Sequence, residues 1–277
     1  MLNTQSLVML KEISRNVRAD IINMTATAGS GHPGGSLSSV ELMTALYFNV
    51  LNHRANELDW QERDRFILSK GHACPVLYSV MARSDYFPVE EILTLRKLGA
   101  RLQGHPSCKA LPGLEVSGGS LGQGLSISNG LALTAKMNKQ DFRVYCLLGD
   151  GELQEGQVWE AVMTAAHYKL DNVCAIVDYN NLQIDGTVEE VMGMAPLVEK
   201  WTAFNWHTIE IDGHDLSAVL AAYEEARQTK GKPSVIIAKT IKGKGVSFME
   251  NAVGWHGKTP NPEEQQKALD EIYGKGN

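Results

Sequence analysis

With 277 residues, 43% of them apolar, the chain is long enough to bury a full core, and a single α/β domain over 1–277 is the expectation. A net charge of −6 and a pI near 5.8 exclude the broad basic face that a nucleic-acid partner demands, so any phosphate must be met by local groups. No apolar run reaches membrane-spanning length, and the stretch MLNTQSLVMLKEISRNVRAD carries charges where a signal peptide needs a clean apolar core; no membrane partner and a cytoplasmic location are therefore expected.

Taken in chain order, Ile13, Val17, Ile21 and Met24 recur at helical spacing and predict an amphipathic helix over 7–28. Gly29, Gly31 and Gly34 then satisfy GxGxxG, with Glu41 following. A dinucleotide fingerprint requires a preceding strand, however, and here a helix precedes it, so the nucleotide reading is rejected. The glycines instead shape a loop that displays His32, and Ser36 is expected to cap a helix running to about residue 51. A strand at 65–69 leads into SKGHACPVLY, where Lys70 and His72 flank a glycine at a helix start, a placement that favours anions. Pro88 opens a helix expected to reach residue 98. Gly104-His105-Pro106 repeats the earlier Gly-His-Pro. The glycine-dense EVSGGSLGQG precedes a helix at 125–137, in which Gly124, Ser128 and Gly130 suit close helix packing.

The most informative stretch is VYCLLGDGELQEGQVWEAVMTAAHYKLDNVCAIVDYNNLQIDG. Its apolar runs 144–148 and 173–177 flank Val158, Ala161, Val162, Ala165 and Ala166 at helical spacing, which makes a βαβ unit with parallel strands. Gly149-Asp150-Gly151 and Asp178-Tyr179-Asn180-Asn181 end the two strands and so face one crevice. Gly149 and Gly151 let backbone approach a bulky anion, while the Asp150 carboxylate and Asn180 amide oxygen are hard donors for Mg²⁺ or Ca²⁺. Mg²⁺ held by so few protein oxygens completes its shell with phosphate and water, so a metal–diphosphate site is expected.

A helix at 196–204, strands at 207–211 and 234–239 around a helix at 217–229, and a final helix near 263–272 continue the alternation. The fold class is thus α/β, a mostly parallel sheet with helices on both faces. A loop carrying Lys242 and Lys244 leads to His256. Cys74, Cys108, Cys146 and Cys174 form no CxxC and read as reduced thiols, two of them in core strands. GxxxxGK[ST] and HExxH are missing. Four histidines, His32, His72, His105 and His256, sit beside glycine in predicted loops, which suits hydrogen bonding to a polyhydroxylated substrate and proton transfer near neutral pH.

GDGELQEG followed by YNNLQIDG resembles the thiamine diphosphate signature in its transketolase form, and AGSGHPGG, SKGHA and WHG resemble further parts of that family. The resemblance implies a pyrophosphate-domain fold with thiamine diphosphate and Mg²⁺ as cofactors, Ca²⁺ or Mn²⁺ being possible substitutes. It implies metal ligation by Asp150, Asn180 and the Leu182 carbonyl. Cofactor contacts are implied for Lys70, His72, Gly119, Ser120, Leu121, Gly149, Gly151, Asn180, Lys242 and His256. His32 and His105 would bind sugar hydroxyls, His256 would assist proton transfer, and Glu155 would lie where subunits meet, linked to a carboxylate of another chain.

The implied reaction passes a two-carbon ketol unit from a ketose phosphate to an aldose phosphate. Only the N-terminal half of a full transketolase is matched, so a separate C-terminal subunit carrying the pyrimidine-binding domain is expected, the two together forming a heterotetramer whose contacts include 125–137 and the helix after Glu155. Two other readings stand beside it: a half of an enzyme resembling deoxyxylulose-phosphate synthase, and a non-catalytic thiamine diphosphate-binding or regulatory subunit.

Overall fold

The computed structural model describes residues 4–275. The strands are β1 (Arg65–Leu68), β2 (Val144–Gly149), β3 (Val173–Tyr179), a small hairpin of β4 (Leu182–Gln183) and β5 (Gly186–Thr187), then β6 (His207–Asp212) and β7 (Ser234–Lys239). Apart from the hairpin they form one parallel sheet in the order β1-β2-β3-β7-β6. Helices α1 (Thr4–Ala28), α2 (Pro33–Leu37), α3 (Val40–Ala45) and α4 (Cys74–Arg83) cover one face. The opposite face is covered by α5 (Gln123–Asn138), α6 (Gly156–His167), α7 (Val188–Met192) and α8 (Leu197–Ala203). The chain then returns to the first face with α9 (Leu216–Gln228) and α10 (Pro262–Tyr273).

Two helical layers explain why the central strands lack polar alternation. Tyr145 and Leu147 enter one core while Val144, Cys146 and Leu148 enter the other, so every β2 side chain up to Leu148 is buried. Cys146 and Cys174 are buried in β2 and β3, as expected, and Cys74 is buried at the start of α4. No helix among the described residues is long and apolar enough to cross a membrane.

Three local expectations need correction. The helix expected to run from Ser36 to residue 51 is broken into α2, α3 and a π-helical turn at Leu46–Val50. Ser36 lies inside α2 and its hydroxyl donates to the His32 carbonyl, while Ser39 donates to the Gly35 carbonyl, which the Ser38 hydroxyl also faces at 3.1 Å. Three buried hydroxyls competing for backbone, next to two glycines, weaken a continuous helix. The helix after Pro88 is only a 3₁₀ segment, Val89–Thr94, because Leu95 turns extended into the core and Arg96 takes a left-handed φ of 59°. In α5, Gly130 faces open space, and Gly124 serves the approach of Ser69, whose Cβ would lie 2.5 Å from an added Cβ. Contacts with α6 come from Asn129, whose amide donates to the Ala161 carbonyl at 2.8 Å, and from Gln123, whose side-chain amide pairs with that of Gln157.

Candidate active site

The carboxyl ends of β1, β2 and β3 open into a pocket of about 270 Å³. It gathers His32, Lys70, His72, His105, Gly119, Leu121, Gly149, Asp150, Gly151, Asn180, Leu182, Lys242 and His256, nearly all the residues that the sequence singles out. A larger hollow of about 590 Å³ beside α9 offers only Glu224 and Arg227 as charged groups, and these pair with each other.

Asp150 closes β2 with its carboxylate turned inward and buried. One oxygen accepts from the Gly151 amide at 2.8 Å and the other from the Asn181 amide. The second bond exists because Asn181 takes a left-handed φ of 59°, a conformation asparagine tolerates better than most residues, which turns its N–H back toward β2. Asn180 donates its amide to Asp178 at 2.9 Å, so its carbonyl oxygen is the atom left on the other side, where the Leu182 amide reaches it at 3.1 Å. The Leu182 carbonyl accepts from the Lys242 ammonium at 2.9 Å. Burial first, and then the neighbouring Asp178 carboxylate, raise Asp150 to a pKa of about 6. A cation at this corner would relieve both effects. No group of three or more His, Cys, Asp or Glu among the described residues forms a metal site. The donors here are one carboxylate, one amide oxygen and one backbone carbonyl, a set that fits a hard divalent ion completing its shell with phosphate oxygens.

Beneath the corner, Asp178 is fully buried and accepts from Lys70 and Ser38 at 2.6 Å, from Asn180 at 2.9 Å and from Thr240 at 2.5 Å. Lys70 completes its three donors with the Gly35 carbonyl at 2.8 Å and the Ser39 hydroxyl at 2.6 Å. Its ammonium is therefore committed as the counter-ion of Asp178, and only its stem reaches the pocket wall beside Gly149. Burial raises the Asp178 carboxyl, but Lys70 and the hydroxyl donors outweigh it and hold the group below the usual carboxylate range. Lys242, by contrast, touches the Leu182 carbonyl and His256, and burial lowers it to about 8 against the pull of Asp150 and Asp178.

The opposite wall is imidazole. The rings of His32, His72 and His256 lie 5.2 to 5.5 Å apart, and His105 packs beside Gly119. Burial is the largest cause of depression for all of them. Lys70 adds to it at His72, bringing that ring to about 2; Lys242 at His256, to about 3; and Arg96 at His32, to about 4. His105 is lowered by burial and by Arg96. The four are neutral at neutral pH. His256 Nδ1 lies 2.8 Å from the Lys242 ammonium, which has only hydrogens to give, so Nδ1 accepts and the ring proton resides on Nε2.

Two residues expected at the site stand apart from the pocket lining: Ser120 is exposed, and Glu155 is exposed beside Gly122. The buried acid of that motif is Glu152, which sequence reasoning missed. It accepts from the Ser69 hydroxyl, from the Gly122 amide at 2.8 Å and from the Gly149 amide at 3.0 Å, tying the glycine-rich loop to the ends of β1 and β2. Burial raises its carboxyl. Arg96 was also missed. Its guanidinium donates to Ser30 at 3.0 Å behind His32, and an added Cβ on Gly104 would meet it at 2.7 Å. The signal available for Arg96 was Gly104 itself, placed where a neighbour must come close.

The family profile described as transketolase, thiamine diphosphate binding domain, matches residues 9–276. The chain is 43% identical over 248 residues to a 6-deoxy-6-sulfo-D-fructose transketolase subunit of Clostridium sp. (strain MSTE9), covering 90% of each. It is 40% identical over 259 residues to one of the subunits of an apulose-4-phosphate transketolase of Phocaeicola vulgatus, covering 94% of this chain and 92% of that protein. The crystal structure of a transketolase from Campylobacter jejuni superposes with a TM-score of 0.88 at 33% identity, over 98% of this chain but only 43% of that longer one. Profile, relatives and backbone agree, and the chain belongs to the transketolase family, as its N-terminal, thiamine diphosphate-binding part.

Proposed function

We propose that this chain, with 1–277 acting as one pyrophosphate-binding domain, is the N-terminal subunit of a two-subunit transketolase that moves a two-carbon ketol unit from a ketose phosphate to an aldose phosphate. The observation that carries the reading is the meeting of the Asp150–Asn180–Leu182 oxygen corner and four neutral histidines in one pocket. A subunit that merely bound the cofactor would need the corner and not the histidines.

Asp150, Asn180 and the Leu182 carbonyl would hold Mg²⁺, with Lys242 and the backbone at Gly149 and Gly151 turned to the diphosphate, and Gly119, Ser120 and Leu121 toward the ring system. Thiamine diphosphate supplies, when bound, the nucleophile and electron sink that breaking a carbon–carbon bond beside a carbonyl requires. The protein's own part is positioning and proton transfer. His256, with its proton on Nε2, would donate a hydrogen bond to a donor-sugar oxygen and so assist proton transfer there. His32 and His105 would orient sugar hydroxyls from the same wall, and His72, its ring 5.2 Å from those of His32 and His256, would sit near the diphosphate. With pKa values of about 4, 2 and 3, His32, His72 and His256 stay neutral, and a transient imidazolium would release its proton readily.

The two similar bacterial proteins are themselves named as transketolase subunits, which supports a separate C-terminal subunit with the pyrimidine-binding domain as partner in a heterotetramer. Closing the pocket with that subunit would exclude water from it. Four cysteines free of disulfides suit a cytoplasmic setting. The test is a ketol-transfer assay of this chain alone, of the partner subunit alone, and of the mixture, with calorimetry of Mg²⁺-dependent thiamine diphosphate uptake. Activity confined to the mixture supports the reading. Uptake by an Asp150→Ala complex equal to that of the unmodified complex removes it.

A further inference from the structure

Outside the pocket, a buried carboxylate grips the loop that delivers Lys242. Glu41, on α3, is 6% exposed and lines no part of the pocket. One of its oxygens accepts from the Arg18 guanidinium of α1 at 2.5 Å and the other faces His214 Nδ1 at 2.9 Å. His214 Nε2 accepts from the Ile241 amide at 2.8 Å, which places the ring proton on Nδ1, donated to Glu41. Arg18 uses a second donor, Nε, on the Lys244 carbonyl at 3.1 Å. Its stem also fills the space where Gly245, at a φ of 93°, has no Cβ: an added one would lie 2.8 Å from Arg18 Cδ.

The chain on both sides of Lys242 is thus held through one acid. The loop has further anchors that do not pass through Glu41: the Thr240 hydroxyl on Asp178, the Thr240 amide on the Tyr179 carbonyl at 3.1 Å, the Gly243 amide on the Gly34 carbonyl at 3.1 Å, the Asn251 amide on the Lys242 carbonyl at 3.0 Å and the Gly245 amide on Glu250 at 3.0 Å. Lys242 itself ends 2.9 Å from the Leu182 carbonyl and 2.8 Å from His256, and a long flexible side chain holds that position only when its backbone is fixed.

We propose that Glu41 is a positioning residue for Lys242: acting through Arg18 and His214, it clamps the backbone at Ile241 and Lys244 and so keeps the ammonium aimed into the pocket. The inference rests on the reading above, in which Lys242 meets the cofactor diphosphate. Without the clamp the ammonium wanders and the diphosphate loses a preorganised cation, while Asp150 and Asn180 remain in place.

The experiment is a double-mutant cycle read by calorimetry of thiamine diphosphate with Mg²⁺ on the assembled complex: unmodified, Glu41→Gln, Lys242→Met, and both together. Glu41→Gln should weaken binding about 10-fold, the lower end of what outer-shell supports are worth, and should add nothing in the Lys242→Met background. Because Glu41 is buried, His214→Asn runs the same cycle from a less buried position. Asparagine keeps a donor for Glu41 but offers no acceptor to Ile241, so the same non-additivity is expected. Effects that simply multiply, or binding unchanged in both Glu41→Gln and His214→Asn, overturn the inference and leave the reading of Lys242 intact. Binding unchanged in Lys242→Met overturns the reading of Lys242, and the inference with it.

Discussion

The floor and the wall of the pocket are built in opposite ways. On the floor, Asp178, Lys70, Asp150 and Asn180 bond one another and the backbone, and Lys70 has no donor left over. On the wall, histidines are stripped of charge by burial and by nearby cations, and packed ring against ring. A floor whose partners are already in place can receive a cation without rearranging, because the cost of organising buried charge is met during folding. A neutral imidazole wall keeps donor and acceptor capacity for hydroxyls that change during a reaction. The difference teaches that holding and proton handling are separable here, and substitutions should separate them.

The largest effect expected is on the floor. Asp178→Ala leaves the Lys70 ammonium buried without its counter-charge and should cost roughly 3–5 kcal/mol of stability, read by denaturant unfolding. Asp178→Asn keeps the shape and loses the charge, so it should cost nearly as much. A mild Asp178→Asn with a severe Asp178→Ala would mean that shape, not charge pairing, holds the floor.

On the wall, His256→Ala should lower the turnover of the assembled enzyme on the order of 10²-fold, with thiamine diphosphate affinity shifted only a few-fold by calorimetry. Equal losses in both would merge wall and floor and break the comparison.

Acid should act mainly through the wall. His32, His72 and His256 have folded pKa values of about 4, 2 and 3, below the unfolded 6.5, so as the pH falls beneath 6.5 the unfolded chain takes up protons that the folded one refuses. Stability is then full above that value and declines below it. His72, the most buried, alone contributes a loss of roughly 2 kcal/mol by about pH 5. Asp150 at about 6 works the other way, binding a proton in the fold first, and partly offsets the decline. Thermal unfolding from neutral pH downward should show a net fall, and His72→Phe should flatten it.

The smallest effect is expected at the rim. Ser120 is exposed, and Ser120→Ala should change stability by less than about 0.5 kcal/mol by the same unfolding assay.

Much of this was legible in the chain because it depends on short spacings. The apolar runs ending in Gly149-Asp150-Gly151 and in Asp178 to Asn181 needed only strand periodicity to fall at neighbouring tips of one sheet. What spacing cannot report is which member of a motif is buried. Glu152 and Glu155 sit three residues apart in one motif, yet only the Glu152 carboxylate is buried and hydrogen-bonded to Ser69, 83 residues away, and to the Gly122 amide, 30 residues away. Arg96 escaped for a related reason: it lies in a turn expected to be helical, and its left-handed φ is what carries it behind His32.

By itself, the order of residues determined the alternation of helices and strands, the parallel sheet and the two polar clusters at its rim, since each follows from local periodicity and glycine placement. The tertiary structure alone decided that Lys70 is committed to Asp178 while Lys242 reaches into the pocket, that His256 carries its proton on Nε2, and that the histidines are neutral. Charge state and tautomer depend on desolvation and on partners distant along the chain, and only folding sets those distances.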